Sequence, residues 1–501
     1  MIAKFKNGER VGGDVLRNVL DDQISLFTED LVGWLGDLDG PDCLKRWHSF
    51  IRESDELINI ESSLASEGAW DELLVSPLDF PALRTNPTST WWFQCLNARF
   101  RPAVCQRAMT MTMRASWLRG LILVNKSDRE GLFNGIESIA DLARYHKARR
   151  YHFMTMLYAI SKHCKGRKRL GTDDAVNSIL ISVEKSLIPL TSIYEKRANF
   201  DLDPKFACLA IENGLLDQSQ TGYLDVNFLE AERLSITDIH EHYAPTHVVD
   251  PSVPISFGEL RAMLDQVLSA YKEFNLAGIG FSDLITFVES LEPYLKDQYF
   301  VTVPIPKFRD LVAPFKQASW YSALVYKEVQ GQPFAGSFSA FVASGPVMVA
   351  NLFMLLRFCY QIKNVNLNKI RRFQIRTGFI FEKVISQEFE ELGFVKLPVK
   401  RLERREFDVV MSKDGTIYNF QCKNAYLDYH QIQTNRGAFV KNNRRLVRYF
   451  ERALIKEAER EHLLKAKFGT GSIRHFVLCN FPVYTDNPHI ISRKDIRRVF
   501  G

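Results

Sequence analysis

Asp408, Gln421 and Lys423 have the types and spacing for phosphodiester chemistry. They lie in two short apolar runs, 406–410 and 417–423. Hydrolysing a phosphodiester needs an activated water and a leaving oxygen relieved of charge. A divalent cation does both when carboxylates hold it and leave positions open. Mg²⁺ asks for hard oxygen ligands, one or two of them carboxylates, and keeps several waters. Asp408 and Gln421 can supply such oxygens if their strands are neighbours. Gln421 and Lys423 are two residues apart and share one strand face, whereas Cys422 faces the other way, into the core. The backbone carbonyl of Cys422 is a further candidate ligand. Lys423 can orient or deprotonate the attacking water, or steady charge on the phosphate. Glu382 reaches the site from an upstream helix, as a ligand or as a group that orients the water.

Positioning these groups takes a helix and a hairpin. Residues 369–392 carry Ile370, Phe373, Ile380, Phe381, Val384, Ile385, Phe389 and Leu392 at helical spacing, and Gly393 follows as a stop. Strands are expected over 394–399, 407–411 and 416–423. Asp414-Gly415 is a hairpin signal between the last two. Asp408 and Gln421 are 13 positions apart, so a tight hairpin brings them level. A long basic helix is expected within 430–467, ended by Gly469-Thr470-Gly471, and a fourth strand over 475–480.

Glu382, Asp408 and Gln421-Cys422-Lys423, in that order on helix, three strands, helix and strand, resemble the PD-(D/E)XK nuclease superfamily. Residues 378–384 and 392–395 look like its first helix and strand. A Gln before Xaa-Lys is similar to the Mrr-type restriction endonuclease branch. The resemblance covers about the last quarter of the chain and implies an α/β domain with a restriction-endonuclease-like αβββαβ core and a mixed sheet. It implies that Asp408 and Gln421 hold the metal, that Lys423 is catalytic and that Glu382 assists. The cofactor expected is Mg²⁺, with Mn²⁺ as a substitute. Two positions depart from the family pattern. Phe407, not Pro, precedes Asp408, and neutral Gln421 leaves the site one charge short.

Charge placement agrees with a polyanion partner. The chain carries 65 Lys and Arg against 59 Asp and Glu, a net +6. Residues 366–501 hold 27 basic and 15 acidic residues, a balance of +12 that leaves −6 for the rest. Arg444, Arg445, Arg448 and Arg452 have helical spacing and could track phosphates. The plainer alternative is a solvated face paired with Glu451 and Glu457. Arg404 and Arg405 flank the strand bearing Asp408 and are further contact candidates. Asn424 and Tyr426 are candidates for lining the cleft.

The length predicts more than one domain: a mostly helical domain over 1–245, a second helical or α+β region over 246–365, and the nuclease-like domain over 366–501. Helices are expected over 14–38, 44–57, 91–126, 135–164, 173–194, 257–274 and 281–294, with strands over 299–305 and 321–328. The basic and aromatic stretches 144–152 and 162–169 read as solvated helix faces, with nucleic-acid contact as the alternative. Trp91-Trp92 reads as core. The longest apolar stretch, 346–360, is interrupted by Asn351 and Arg357 and reads as a buried helix rather than a membrane span. The eight cysteines form no CxxC pair. A polar N-terminus and no membrane span suggest a cytoplasmic protein.

The function expected is a Mg²⁺-dependent endonuclease acting on DNA, of restriction or defence type, with RNA left open as substrate. Cutting both strands needs two sites, so a homodimer is expected. The alternatives are a non-catalytic nucleic-acid-binding protein on a degenerate nuclease fold and a repair or junction-resolving nuclease. No Gly-Lys-Ser/Thr loop points to ATP-driven translocation.

Overall fold

The computed structural model describes residues 9–64, 93–94, 96–111, 114, 139–202, 208–212, 215–216, 250, 252–327, 338–425, 435–469, 471–480, 483 and 485–501. The expected core pair Trp91-Trp92, the cleft candidate Tyr426 and the start of the expected basic helix at 430 lie outside these residues.

The N-terminal region is mostly helical. Its long elements are α1 (Gly13–Leu35), α2 (Gly40–Leu64), α3 (Ile139–His163), α4 (Thr172–Ser182) and α5 (Ile188–Leu202), with a π-helical turn at Val183–Leu187 joining the last two. Trp47 of α2 stacks on Phe50 at 4.5 Å and donates from Nε1 to the Phe153 carbonyl at 2.8 Å, pinning α2 to α3. Three short strands, not expected from the sequence, form a small sheet beside the helices: β1 (Arg10–Gly12), β2 (Cys208–Glu212) and β3 (Leu215–Leu216). Residues 145–150 are a solvated face only in part: Lys147 and Ala148 are exposed. Tyr145 and His146 are buried, Arg149 pairs with Glu184 and Arg150 with Asp55. Arg149 and Arg150 answer carboxylates, half-buried Glu184 and buried Asp55, that lie far along the chain from them.

The middle region is α+β. It contains α6 (Phe257–Ala270), α7 (Phe281–Glu289), β4 (Leu295–Lys296), β5 (Phe300–Pro304), α8 (Ile305–Val312), β6 (Val342–Ser344), β7 (Val347–Asn351) and α9 (Leu352–Leu367). The sheet order is β4-β5-β7-β6, antiparallel throughout. Ser256 caps α6 by accepting from Glu259 N at 3.2 Å. The stretch 346–360 is a strand followed by a helix, not one helix. Asn351 is the N-cap between them, its side chain accepting from Met354 N at 2.8 Å. The expected strand 321–328 is instead a 3₁₀ turn at Tyr321–Ala323 with one bridge, Val325 to Phe341. Buried Trp320, packed on Phe287 and Phe315, overrides the strand preference of that segment.

The C-terminal region begins with α10 (Arg371–Glu391), which Gly393 closes at φ 80°. The strands β8 (Val395–Lys396), β9 (Arg401–Leu402), β10 (Arg405–Glu406), β11 (Val409–Lys413) and β12 (Thr416–Lys423) follow. Then come α11 (Arg436–Glu459), α12 (Glu461–Phe468), β13 (Ile473–Cys479), β14 (Ile490–Ser492) and α13 (Ile496–Phe500). The sheet order is β14-β13-β12-β11-β8. It is mixed: β12–β13 and β13–β14 run parallel, β11–β12 and β11–β8 antiparallel. The expected strand 394–399 shrinks to two residues, because Pro398 has no N–H for the ladder. The expected strand 407–411 starts later, at Val409, so Asp408 stands just before β11. The basic helix is two helices that break at Arg460.

One helix belongs to two cores. Phe373 of α10 packs edge-on against Tyr271 and Phe274 of the middle region at 5.9 and 5.3 Å. Phe381, Ile385 and Phe389 of the same helix are buried against Phe394, Met411 and Phe420 in the C-terminal core. Glu382 therefore sits on an element fixed at both ends.

Candidate active site

A two-residue turn sets the geometry. Lys413 pairs with Thr416, so Asp414-Gly415 forms the turn with φ of 53° and 72°. Positive φ at both positions matches the twist of the flanking strands, which is why Asp-Gly is favoured there. The register runs back through Val409 opposite Phe420. The next position puts Asp408 opposite Gln421. Asp408 Oδ2 accepts from the Cys422 N–H at 2.8 Å and from Gln421 Nε2. The three residues singled out by spacing therefore meet at one end of the sheet.

The two faces of β12 have separate tasks. Tyr418, Phe420 and Cys422 pack into the core that contains Phe381, Ile385 and Phe389 of α10. Ile417 packs on the other face, against Leu463 and Leu464 of α12. By alternation Asn419, Gln421 and Lys423 share that second face. Glu382 thus approaches from the α10 side, and Gln421 and Lys423 from the opposite side, and they converge around the strand end at Asp408.

The electrostatics show how close these groups are. Burial and the nearby Asp408 carboxylate push Glu382 up to about 7, and Lys400 and Lys423 pull the other way. Burial also raises Asp408, against the Lys423 ammonium and the Cys422 N–H. Both carboxylates are raised chiefly by burial, and Asp408 also raises Glu382, a pairing that marks a candidate cation site. The Cys422 thiol is pushed up by burial and faces the core, so it is no nucleophile. Lys423 Nζ lies 5.6 Å from the Tyr449 ring centroid on α11.

The arginines expected to meet phosphates are placed as follows. Arg444, Arg445, Arg448 and Arg452 are all exposed on α11. Arg445 and Arg452 flank Tyr449 by one turn on either side, so they continue the stripe that begins at Lys423. Arg445 donates to Asn442 Oδ1 at 2.8 Å. Glu457 is not their partner. It is buried and bound to Arg460 at 3.0 Å and to Asn419 Nδ2 at 2.9 Å. Arg404 and Arg405 are exposed ahead of Asp408.

Several residues of the site carry no sequence signal of comparable clarity. Lys400 acts on Glu382. Asn424 donates to the Thr377 carbonyl at 3.2 Å and accepts from Asn480 at 2.9 Å, clipping the end of β12 to α10. Asn419 joins Glu457 to His475 at 3.2 Å, and His475 Nε2 meets Glu461 at 3.0 Å. An Asn inside an apolar strand was the visible hint, because a buried amide needs partners.

No family model matches the chain, nor does any curated protein or solved structure. The chemistry must be judged from the groups present. Among the described residues, no three His, Cys, Asp or Glu side chains form a ready metal cage. Glu382 and Asp408 supply carboxylate oxygens, and turning the Gln421 amide over would present its Oε1 beside them. Hard oxygens with few protein contacts fit a Mg²⁺-sized cation that keeps waters and takes a substrate oxygen.

Proposed function

We propose that the C-terminal region is a PD-(D/E)XK-type nuclease domain, of the Mrr-like kind, that hydrolyses phosphodiester bonds in DNA with Mg²⁺. The convergence of Glu382, Asp408, Gln421 and Lys423 on one strand end supports this most. The order of helix, hairpin, helix and parallel strand around them, with a balance of +12 in residues 366–501, supports it further.

When bound, the cation would polarise the scissile phosphate and its attacking water. Asp408 is the residue best placed to hold it, with Gln421 Oε1, Glu382 and the Cys422 carbonyl around it. Lys423 Nζ orients the attacking water or takes up its proton, and offsets charge as it builds on the phosphoryl oxygens. Glu382, poised near neutral pH, can hold or release a proton there. Arg444, Arg445 and Arg448 align the backbone of the nucleic acid by phosphate contact.

Incubating supercoiled plasmid DNA with Mg²⁺ or Mn²⁺, beside a Lys423→Ala control, tests the proposal. Metal-dependent nicking that the substitution abolishes is the expected outcome. Tight DNA binding with no cleavage in either metal would leave a binding protein on a nuclease-like scaffold instead.

A further inference from the structure

Residues 400–407 fold back on themselves just before the chain enters the site. β9 and β10 pair through Leu402 with Arg405 and Arg401 with Glu406. The turn is Glu403-Arg404, with φ of 43° and 64°. A two-residue turn with both φ positive favours Asn-Gly or Asp-Gly, and the β11–β12 hairpin of the neighbouring five-stranded sheet uses Asp-Gly. Here two long charged side chains take left-handed positions, a conformation that costs roughly 1 kcal/mol or more for each such residue.

The base of this hairpin is fastened and its tip is free. Phe407 is buried and Leu402 half-buried in the core with Leu463 and Leu464. Phe407 N donates to the Lys400 carbonyl at 3.1 Å, and Arg460 Nη1 donates to the Glu406 carbonyl at 3.3 Å. Arg401 pairs with Glu406 across the strands. Glu403, Arg404 and Arg405 are exposed. Among the described residues, neither Arg404 nor Arg405 is paired with a carboxylate. Asp408 follows Phe407 directly, so the tip lies within about 14 Å of chain from the site.

We infer that the 401–406 hairpin is a probe for the groove of duplex nucleic acid, so that double-stranded DNA rather than single strands is the partner of this site. The inference rests on the nuclease assignment proposed above. A two-stranded ribbon fits the B-form major groove, which is about 12 Å wide. A rigid base sets its angle, and two uncommitted arginines, Arg404 in the turn and Arg405 at the start of β10, suit phosphate oxygens or guanine edges. A turn that served only to reverse the chain would be better made with Asn-Gly. The strained Glu-Arg pair therefore has its use outside the fold.

The test separates fold from contact. In the full chain, Glu403→Asn with Arg404→Gly supplies the favoured turn and removes the tip. Binding of a labelled duplex and of its single strand is followed by anisotropy in EDTA, so no cleavage is involved. The expected result is a melting temperature equal to or above wild type, duplex affinity down about tenfold or more, and single-strand affinity within twofold. Arg405→Ala, which leaves the turn intact, should weaken duplex binding in the same direction and stands in if the double variant does not fold. Duplex affinity unchanged in both variants would overturn the inference, as would a wild type that binds single strands as tightly as duplex. Cleavage lost in Lys423→Ala but unchanged duplex binding in the hairpin variants would sink this inference and leave the nuclease assignment standing.

Discussion

Two clusters of buried charge in this protein are built on opposite plans. In the N-terminal region, residues 52–56 of α2 place four charged side chains and a serine inside the structure. Arg52 donates to Glu56 at 3.1 Å, and Arg107 reaches the same carboxylate at 2.6 and 2.8 Å. Arg114 pairs with Glu53 at 2.7 Å, and Ser54 bonds His146 at 2.9 Å. Asp55 takes Arg150 and the Tyr299 hydroxyl, the latter at 2.9 Å. Burial pushes Glu53 up, but Arg114 opposes it directly. In the C-terminal cluster the nearest strong influence on Glu382, after burial, is another carboxylate. Carboxylates each answered by a guanidinium hold a fold together. Like charges left facing each other need something from outside, and here that demand sits at a strand end with a lysine beside it.

The largest effect should come from Asp408. Asp408→Asn removes the charge on which the proposed cation site depends. Single-turnover cleavage should fall about a thousandfold, roughly 4 kcal/mol in the barrier. The melting temperature at pH 7.5 should hold or rise, because one of two repelling carboxylates is gone. A fall in cleavage that merely follows unfolding would erase the contrast between the clusters.

Asp55→Ala should do the reverse. It strands the Arg150 guanidinium and the Tyr299 hydroxyl inside the protein, at a cost of about 3–5 kcal/mol in denaturant unfolding. Cleavage per folded molecule should not change. A cost under about 1 kcal/mol would show that the N-terminal network is not scaffold.

The pH dependence of the metal-free protein sharpens the contrast. Glu382 has a folded value near 7, above its ordinary 4.5. The folded state therefore binds its proton more tightly, and the stability this gives is full below about 4.5 and is lost as pH rises through 7. Asp408 is raised too and adds in the same direction. Melting temperature should thus fall between pH 5 and 7.5, and Glu382→Gln should flatten that fall. An unchanged slope in the variant would remove Glu382 from the site.

The smallest effect concerns Gln421. Gln421→Glu adds the charge the site lacks and should tighten Mn²⁺ binding about tenfold, near 1.4 kcal/mol, by calorimetry. An unaltered affinity would mean that the Gln421 side chain is not a ligand.

Much of the site was legible because its signals are local. Asp414-Gly415 named the turn that aligns Asp408 with Gln421, and apolar spacing with Gly393 bounded α10. Asn351 stood out in the sequence only as a polar interruption, and the apolar run across it masked a change from strand to helix capped by that residue. The rest depends on partners far along the chain. Asn419 and Glu457 are 38 residues apart, and Arg150 and Asp55 are 95. The 401–406 hairpin has no turn residues to announce it. The same absence makes it informative once its backbone is known.

Glu382 and Asp408, raised chiefly by burial, are proposed to hold one cation between them. Calorimetric titration of the full chain with Mn²⁺ at pH 7, in two buffers of different ionisation enthalpy, tests it most directly. One site should bind, with about half a proton released as Glu382 ionises, and Asp408→Asn should abolish both. No binding, or binding unaltered by Asp408→Asn and without proton release, would contradict the account.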